Sequence, residues 1–443
     1  MPPEVVQVAV KCCYRVLGLC SRLQHRMEVL TSLCYLISGL QGDVQACVDI
    51  IAEYFPVMWD LNVNSSESFI IRKGLLESLS RFYRSAPAAV QSESLDQISL
   101  KLVDHFLQPV KRGDVGLVAE AVGLLRAYVH SSSTLNDQVL SFFPRVLHFL
   151  QPHFEIRAVA SLAEGYILLA SDPTRLIAET VPLFSALFEC LPVGPYSAMK
   201  IHLMDFFITC TRVMPSDFIK PFTQYLPLLV NIVTGRQKDE DGKTMNTNVL
   251  VRVAHFLAVV FSCHTDYFHQ LFNSDADGAQ AFLFRCVQSS RPTMFESLMS
   301  YPMTASPRRT VFAYFFLKLI AVRSPIVFGL QDMIQRMFPL AAGVLRAFLV
   351  KEEKERKAQE KNMRQEMAGS PPAILTSVPP TEDESPLDKR YDTYFDHFIS
   401  ADEYKAMFVE AFRAMNCDEQ TFDSLLSDDD TRARVKAFLS AAQ

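Results

Sequence analysis

Apolar residues recur every three or four positions along most of this chain. Val29, Leu30, Leu33, Leu36, Ile37 and Leu40 fall on one helical face, as do Ile70, Ile71, Leu75, Leu76, Leu79 and Phe82. Leu117, Val118, Ala121, Leu124, Leu125 and Tyr128 repeat the arrangement, and no sustained period-two alternation points to strands. The pattern predicts an all-α chain of amphipathic helices. The breaks are expected at Ser85-Ala86-Pro87, Ser131-Ser132-Ser133-Thr134, Ser171-Asp172-Pro173 and Pro192-Val193-Gly194-Pro195, with a longer polar loop from Gly235 to Asn248.

One short motif recurs inside this pattern. Tyr54-Phe55-Pro56-Val57-Met58, Phe142-Phe143-Pro144-Arg145-Val146, Thr180-Val181-Pro182-Leu183-Phe184, Tyr225-Leu226-Pro227-Leu228-Leu229 and Met337-Phe338-Pro339-Leu340-Ala341 share one layout. Their prolines are 88, 38, 45 and 112 residues apart. With two units in the first gap and three in the last, the unit averages about 40 residues, the size of a HEAT or armadillo repeat. Several of these segments precede one that opens with a basic residue in an apolar frame: Ile71-Arg72-Lys73-Gly74, Ile156-Arg157-Ala158-Val159 and Val251-Arg252-Val253-Ala254. The expected unit is a pair of helices. The proline bends the first by removing one backbone bond, and the arginine of the second can bridge to acidic or carbonyl groups of the adjacent repeat. The fold class is therefore an alpha-alpha superhelix, a HEAT/ARM-repeat solenoid, in which each repeat buries surface against its neighbours.

This solenoid is expected over residues 1–350. Lys351 to Met367 is a charged helix-former run that extends the preceding helix, giving a charged helical extension over 351–368. Residues 369–386 read as an acidic, proline-rich disordered linker with Pro371-Pro372, Pro379-Pro380 and Glu382-Asp383-Glu384. Helical patterning resumes at Tyr391, and 387–443 reads as a C-terminal helical cap. Within it, Asp428-Asp429-Asp430-Thr431 is placed to cap the last helix.

Composition narrows the chemistry. The net charge of −6 offers no bulk attraction to nucleic acid. The longest stretch free of Asp, Glu, Lys and Arg is the 15 residues from Pro221 to Gly235, short of the ~20 that a spanning helix needs, so no membrane insertion is expected. Ten scattered cysteines show no C-x-x-C spacing and read as reduced thiols.

Gly235 and Gly242-Lys243-Thr244 miss the phosphate-loop spacing, with Gln237 where the first glycine should stand. Asn273, Asp275, Asp277 and Gly278 begin like a calcium loop, but the ninth and twelfth positions are Ala281 and Phe284. His264 and His269, with Asp266 between, lack further metal ligands in the sequence. No catalytic, cofactor-binding or metal-binding residue is nominated, and the chain is not expected to be an enzyme. The single tryptophan, Trp59, reads as a core residue.

The residues from Met27 to Tyr83 resemble the importin-β (karyopherin-β) family of nuclear transport receptors, and most of all the C-terminal half of the importin-eleven type. The likeness rests on Tyr54-Phe55-Pro56-Val57-Met58-Trp59 followed by Ile70-Ile71-Arg72-Lys73-Gly74-Leu75-Leu76. It continues in the acidic linker, Ser385-Pro386-Leu387-Asp388 and the closing Val435-Lys436-Ala437-Phe438-Leu439.

The resemblance implies a receptor segment that binds protein cargo on its repeat surface for import into the nucleus. Nuclear pore proteins are implied partners. Ran GTPase would bind mainly through N-terminal repeats absent from this chain. The implied location is cytoplasm and nucleus, including the nuclear envelope. Glu382, Asp383 and Glu384 are the candidate interaction residues, as an attraction for basic cargo. The alternative is a HEAT scaffold or adaptor outside transport, of the phosphatase regulatory subunit or vesicle-coat type.

Overall fold

A computed structural model describes residues 3–39, 45–62, 68–85, 92–108, 115–150, 156–193, 197–238, 242–290, 307–367 and 398–442. The linker 369–386 and its Glu382, Asp383 and Glu384 lie outside the described residues, as do 291–306 and 387–397. The chain divides into two compact units, one formed mainly by residues up to Leu187 and the other mainly by residues from Phe188 onward.

The first unit holds α1 (Pro3–Leu19), α2 (Leu23–Ser38), α3 (Gln45–Leu61), α4 (Ser68–Ser85), α5 (Glu93–Leu107), α6 (Val115–Ser131), the short α7 (Asp137–Leu140) and α8 (Phe143–His148), and α9 (Ile156–Leu169). The helix α10 (Pro173–Glu189) follows. Two ladders run through this unit. First helices α1, α3 and α5 stack in one row, and second helices α2, α4, α6 and α9 stack in the other. The all-α, HEAT/ARM-like repeat expected from the periodicity is what the structure shows, with no strand among the described residues.

Small residues set the spacing of the second ladder. A Cβ added at Gly116 would meet the Phe69 ring of α4 at 2.3 Å, and one at Gly165 would meet Val129 Cγ1 of α6 at 2.9 Å. Glycine costs a helix about 1 kcal/mol relative to alanine. Here it lets a bulky side chain of the preceding rung lie directly on the backbone of the next.

The proline expectation holds in part. Pro56, Pro182 and Pro339 sit inside helices. Pro144 and Pro227 instead occupy the first turn of α8 and α12 (Leu226–Val233). There the missing N–H was not needed, so the first helix of each pair is split rather than bent. Its leading piece is α7 in one case and a 3₁₀ turn over Lys220–Tyr225 in the other.

The second unit contains α11 (Ser197–Val213), α12, α13 (Thr247–Cys263), α14 (Thr265–Phe272), α15 (Ala276–Ser289), α16 (Pro307–Ala321), α17 (Pro325–Phe328), α18 (Gln331–Met367), α19 (Ala401–Met415), α20 (Glu419–Leu425) and α21 (Asp429–Ala441). Its second ladder is α11, α13, α16 and α19. Among the described residues, the 112-residue gap between Pro227 and Pro339 holds two steps of the second ladder where three were expected. The extra length goes into α14, which packs on α13 and α15, while α15 stands in the row of first helices between α12 and α18. An aromatic cluster fills this core: Phe188 stacks on Phe207 at 4.2 Å, and Phe261, Phe268, Phe282 and Phe315 lie within 6.4 Å of one another.

The helix α18 passes through residue 351 without a break, as the charged run predicts. It is long enough to span a bilayer, but its apolar half is core. Phe338 lies 5.5 Å from Phe408 of α19, and the buried Tyr404 hydroxyl donates to the Ala341 carbonyl at 2.9 Å.

Candidate interaction surface

The second helices carry the polar groups that tie successive rungs together. On α4, the Lys73 ammonium pairs with Glu120 of α6 at 2.7 Å. In the other unit, Arg252 of α13 pairs with Asp205 of α11 at 3.2 Å. Arg252 makes the bridge expected of the arginine that opens a second helix, and on α4 the neighbouring Lys73 makes one. Arg72 does something else. It is 8% exposed, and its guanidinium lies over the Trp59 ring at 4.1 Å. Trp59 is buried, as its reading as a core residue required, and stacks on Phe55.

Buried polar groups reinforce both ladders. In the first unit, the Tyr83 hydroxyl donates to Asp96 at 2.8 Å, and Tyr128 reaches the other Asp96 oxygen at 3.5 Å. Burial raises the Asp96 carboxyl above its ordinary range, against the two tyrosine hydrogen bonds. In the second unit, Arg212 lies 3.3 Å from His255 Nε2. Burial pushes the His255 imidazole well below its usual range, and the nearby Arg212, Arg252 and Arg308 push the same way. His255 is therefore neutral near pH 7 and acts as a packing group.

Ion pairs hold α19 and α21 to α18. Arg346 engages Asp428 and Asp430, Lys405 engages Glu352, and Arg434 bonds Glu353 at 2.9 Å and Asp430 at 3.0 Å. The Asp428 carboxylate accepts the Thr431 N–H at 3.2 Å, the helix cap expected at this position. Two charged residues of the predicted extension are thus partners of the C-terminal helices.

The outward-facing surface of the first unit has two distinct parts. Val5, Val8, Val16 and Leu19 form an exposed apolar stripe on α1, and Tyr35 is exposed on α2. On the ladder of second helices, Arg84 of α4, Arg126 of α6 and Arg157 of α9 are all exposed. Burial lowers the Arg126 guanidinium from its usual range, and Arg84 and Arg157 lower it further. Arg157 was read from the sequence only as the basic residue opening a second helix, and its grouping with Arg84 and Arg126 was hidden because the three lie 42 and 31 residues apart on different helices. The available signal was one basic residue per second helix at about the repeat interval.

The motifs weighed for chemistry fall into structural places. Asp275 caps α15 by accepting the Gly278 N–H at 2.9 Å, and it also pairs with Arg236. Gly235 and Gly242 take positive φ in the loop before α13. His264 Nε2 lies 2.8 Å from the Pro215 carbonyl. Among the described residues no three His, Cys, Asp or Glu side chains converge as metal ligands, and all ten cysteines are free thiols. What is built in each unit is a row of stacked helices with an extended outer surface.

Residues 74–301 match a protein family described as importin-11-like, TPR repeats. The chain belongs to this importin-11-like family. The matched span runs from within α4 to beyond α15 and so includes rungs of both second ladders. Its importin-β-type kinship was the expectation raised by Tyr54–Trp59 and Ile70–Leu76. No curated protein matches the chain. Membership places the chain among importin-like helical-repeat proteins, whose fold is not a catalytic one and whose partners are proteins.

Proposed function

We propose that this chain is the C-terminal part of a nuclear import receptor and holds protein cargo on its ladders of second helices. The observation that carries the reading is the importin-11-like match across 74–301, a span made of stacked helix pairs. Cargo is gripped by dispersed polar and charged side chains rather than by a pocket. Ran in its GTP form competes by favouring another arrangement of the rungs, and nuclear pore proteins carry the receptor through. Residues 387–443 serve as the cap of the array. Segment 369–386 serves as a linker whose Glu382, Asp383 and Glu384 attract basic cargo. The protein works in cytoplasm and nucleus and at the nuclear envelope.

Nuclear entry in permeabilised cells tests this reading. The fluorescently labelled chain should collect at the nuclear rim and enter nuclei without added receptors. Exclusion from nuclei and rim alike, under conditions in which a known receptor enters, would overturn it.

A further inference from the structure

Arg84, Arg126 and Arg157 form a row across three consecutive rungs of the first unit. Contacts between the helices fix the register of these rungs. Lys73 faces Glu120, and Phe69 lies on Gly116, so α4 and α6 run side by side in the same direction. Gly165 lies against Val129 and His130, which aligns α9 on α6. In this register Arg126 sits about 7 Å along the helix axis from the levels of both Arg84 and Arg157, at 1.5 Å of rise per residue. With helix axes about 10 Å apart, the row is a diagonal with steps of about 12 Å. The two outer arginines act electrostatically on the middle one.

Three like charges are held near one another here. Arg84 reaches Glu77 at 3.4 Å, and Glu164 is the one acidic group whose field acts on Arg126. Among the described residues no ion pair or hydrogen bond reaches Arg126 or Arg157. An array whose net charge is −6 thus keeps a cationic line open on its repeat surface.

We propose that this row binds an extended acidic peptide segment of a protein partner, with one carboxylate at each rung. An extended chain advances about 3.3 Å per residue, so steps of about 12 Å match carboxylates spaced three or four residues apart. Arginine takes a carboxylate through two parallel N–H···O bonds, which gives each rung direction as well as charge. The short row favours a peptide over a nucleic acid, which asks for a broad basic face. The inference rests on the cargo-binding reading and names a partner chemistry for it. It is opposite in sign to the basic cargo that Glu382, Asp383 and Glu384 would attract.

The test uses the 443-residue chain and a fluorescein-labelled 15-residue peptide, (Glu-Ser-Ser)₅, followed by anisotropy. The controls are the lysine counterpart and a 15-nucleotide single-stranded oligonucleotide. The glutamate peptide should bind, weaken with salt, and lose about tenfold in affinity in Arg126→Ala/Arg157→Ala. Arg126→Lys should keep part of the binding. These side chains are exposed, and circular dichroism confirms that the variants fold. Equal affinity in the wild type and the double variant overturns the inference, as does an oligonucleotide that binds more tightly and displaces the peptide. Nuclear entry that persists in the double variant beside a failed peptide titration would refute the acidic partner alone and leave the import reading standing.

Discussion

The guanidinium of Arg72 lies 4.1 Å from the centre of the Trp59 ring, so the first basic position of a second helix is spent on an aromatic face of the helix before it. Both side chains are buried. A desolvated cation–π contact is worth about 2 kcal/mol. Arg72→Ala should therefore destabilise the first unit by about 2 kcal/mol or more, since the ring also loses packing. Arg72→Lys should recover part of the loss, because the charge remains and the flat stack does not. Trp59 is the only tryptophan, so urea unfolding followed by its fluorescence reads the site directly. Unchanged midpoints in both variants would contradict the assignment.

Gly165 provides a second stability test. Its missing side chain leaves room for Val129, a branched residue with few alternative rotamers. Gly165→Ala should raise helix propensity yet lower stability, by about 1–3 kcal/mol, through overpacking between α6 and α9. A gain in thermal midpoint would show that the rungs can part to admit a methyl group.

Asp96 links stability to pH. Its folded carboxyl titrates above the ordinary range because burial outweighs the hydrogen bonds from Tyr83 and Tyr128. The folded state therefore holds this proton more tightly than the unfolded state. Stability at this group is greatest below the unfolded value and falls as pH rises through the folded one. Asp96→Asn removes the titration. The wild type should gain stability relative to Asp96→Asn as pH is lowered from 7 toward 4, measured by denaturant titration at each pH. A relative loss over that window would reverse the sign of the burial argument.

The C-terminal helices should respond to salt more than to mild acid. Hydrogen bonds from Lys357 and Arg434 lower the Glu353 carboxyl to about 2. Its contribution is present above the unfolded carboxylate range and is lost as pH falls through about 2. Bringing the pH to 5 should leave the pairing with α21 intact, whereas 1 M salt or Arg434→Ala should weaken it. Hydrogen exchange over Asp429–Ala441 distinguishes the cases, with faster exchange expected in salt and unchanged exchange at pH 5 after correction for the intrinsic rate.

These elements also show what the sequence could disclose. The stripe from Ile70 to Phe82 marked α4, found at Ser68–Ser85, because a buried helical face leaves a period in the residues themselves. The cap at Asp428 was legible for the same local reason. Pro144 and Pro227 were misjudged as bends, since proline suits a first turn as well as an interior kink and the motif alone does not distinguish them. The arginine row and the Glu353–Arg434 bond were hidden. Each joins residues from different helices, and only the stacking brings them together.

On the proposed import function, this family member grips cargo and gives it up to Ran. A pull-down of bound protein on the chain, extended upstream where a longer reading frame exists, tests it most directly when challenged with GTP-locked Ran. GTP-locked Ran should release the bound protein, and the GDP form should leave it in place. Equal retention under both would contradict it and favour a scaffold outside nuclear transport.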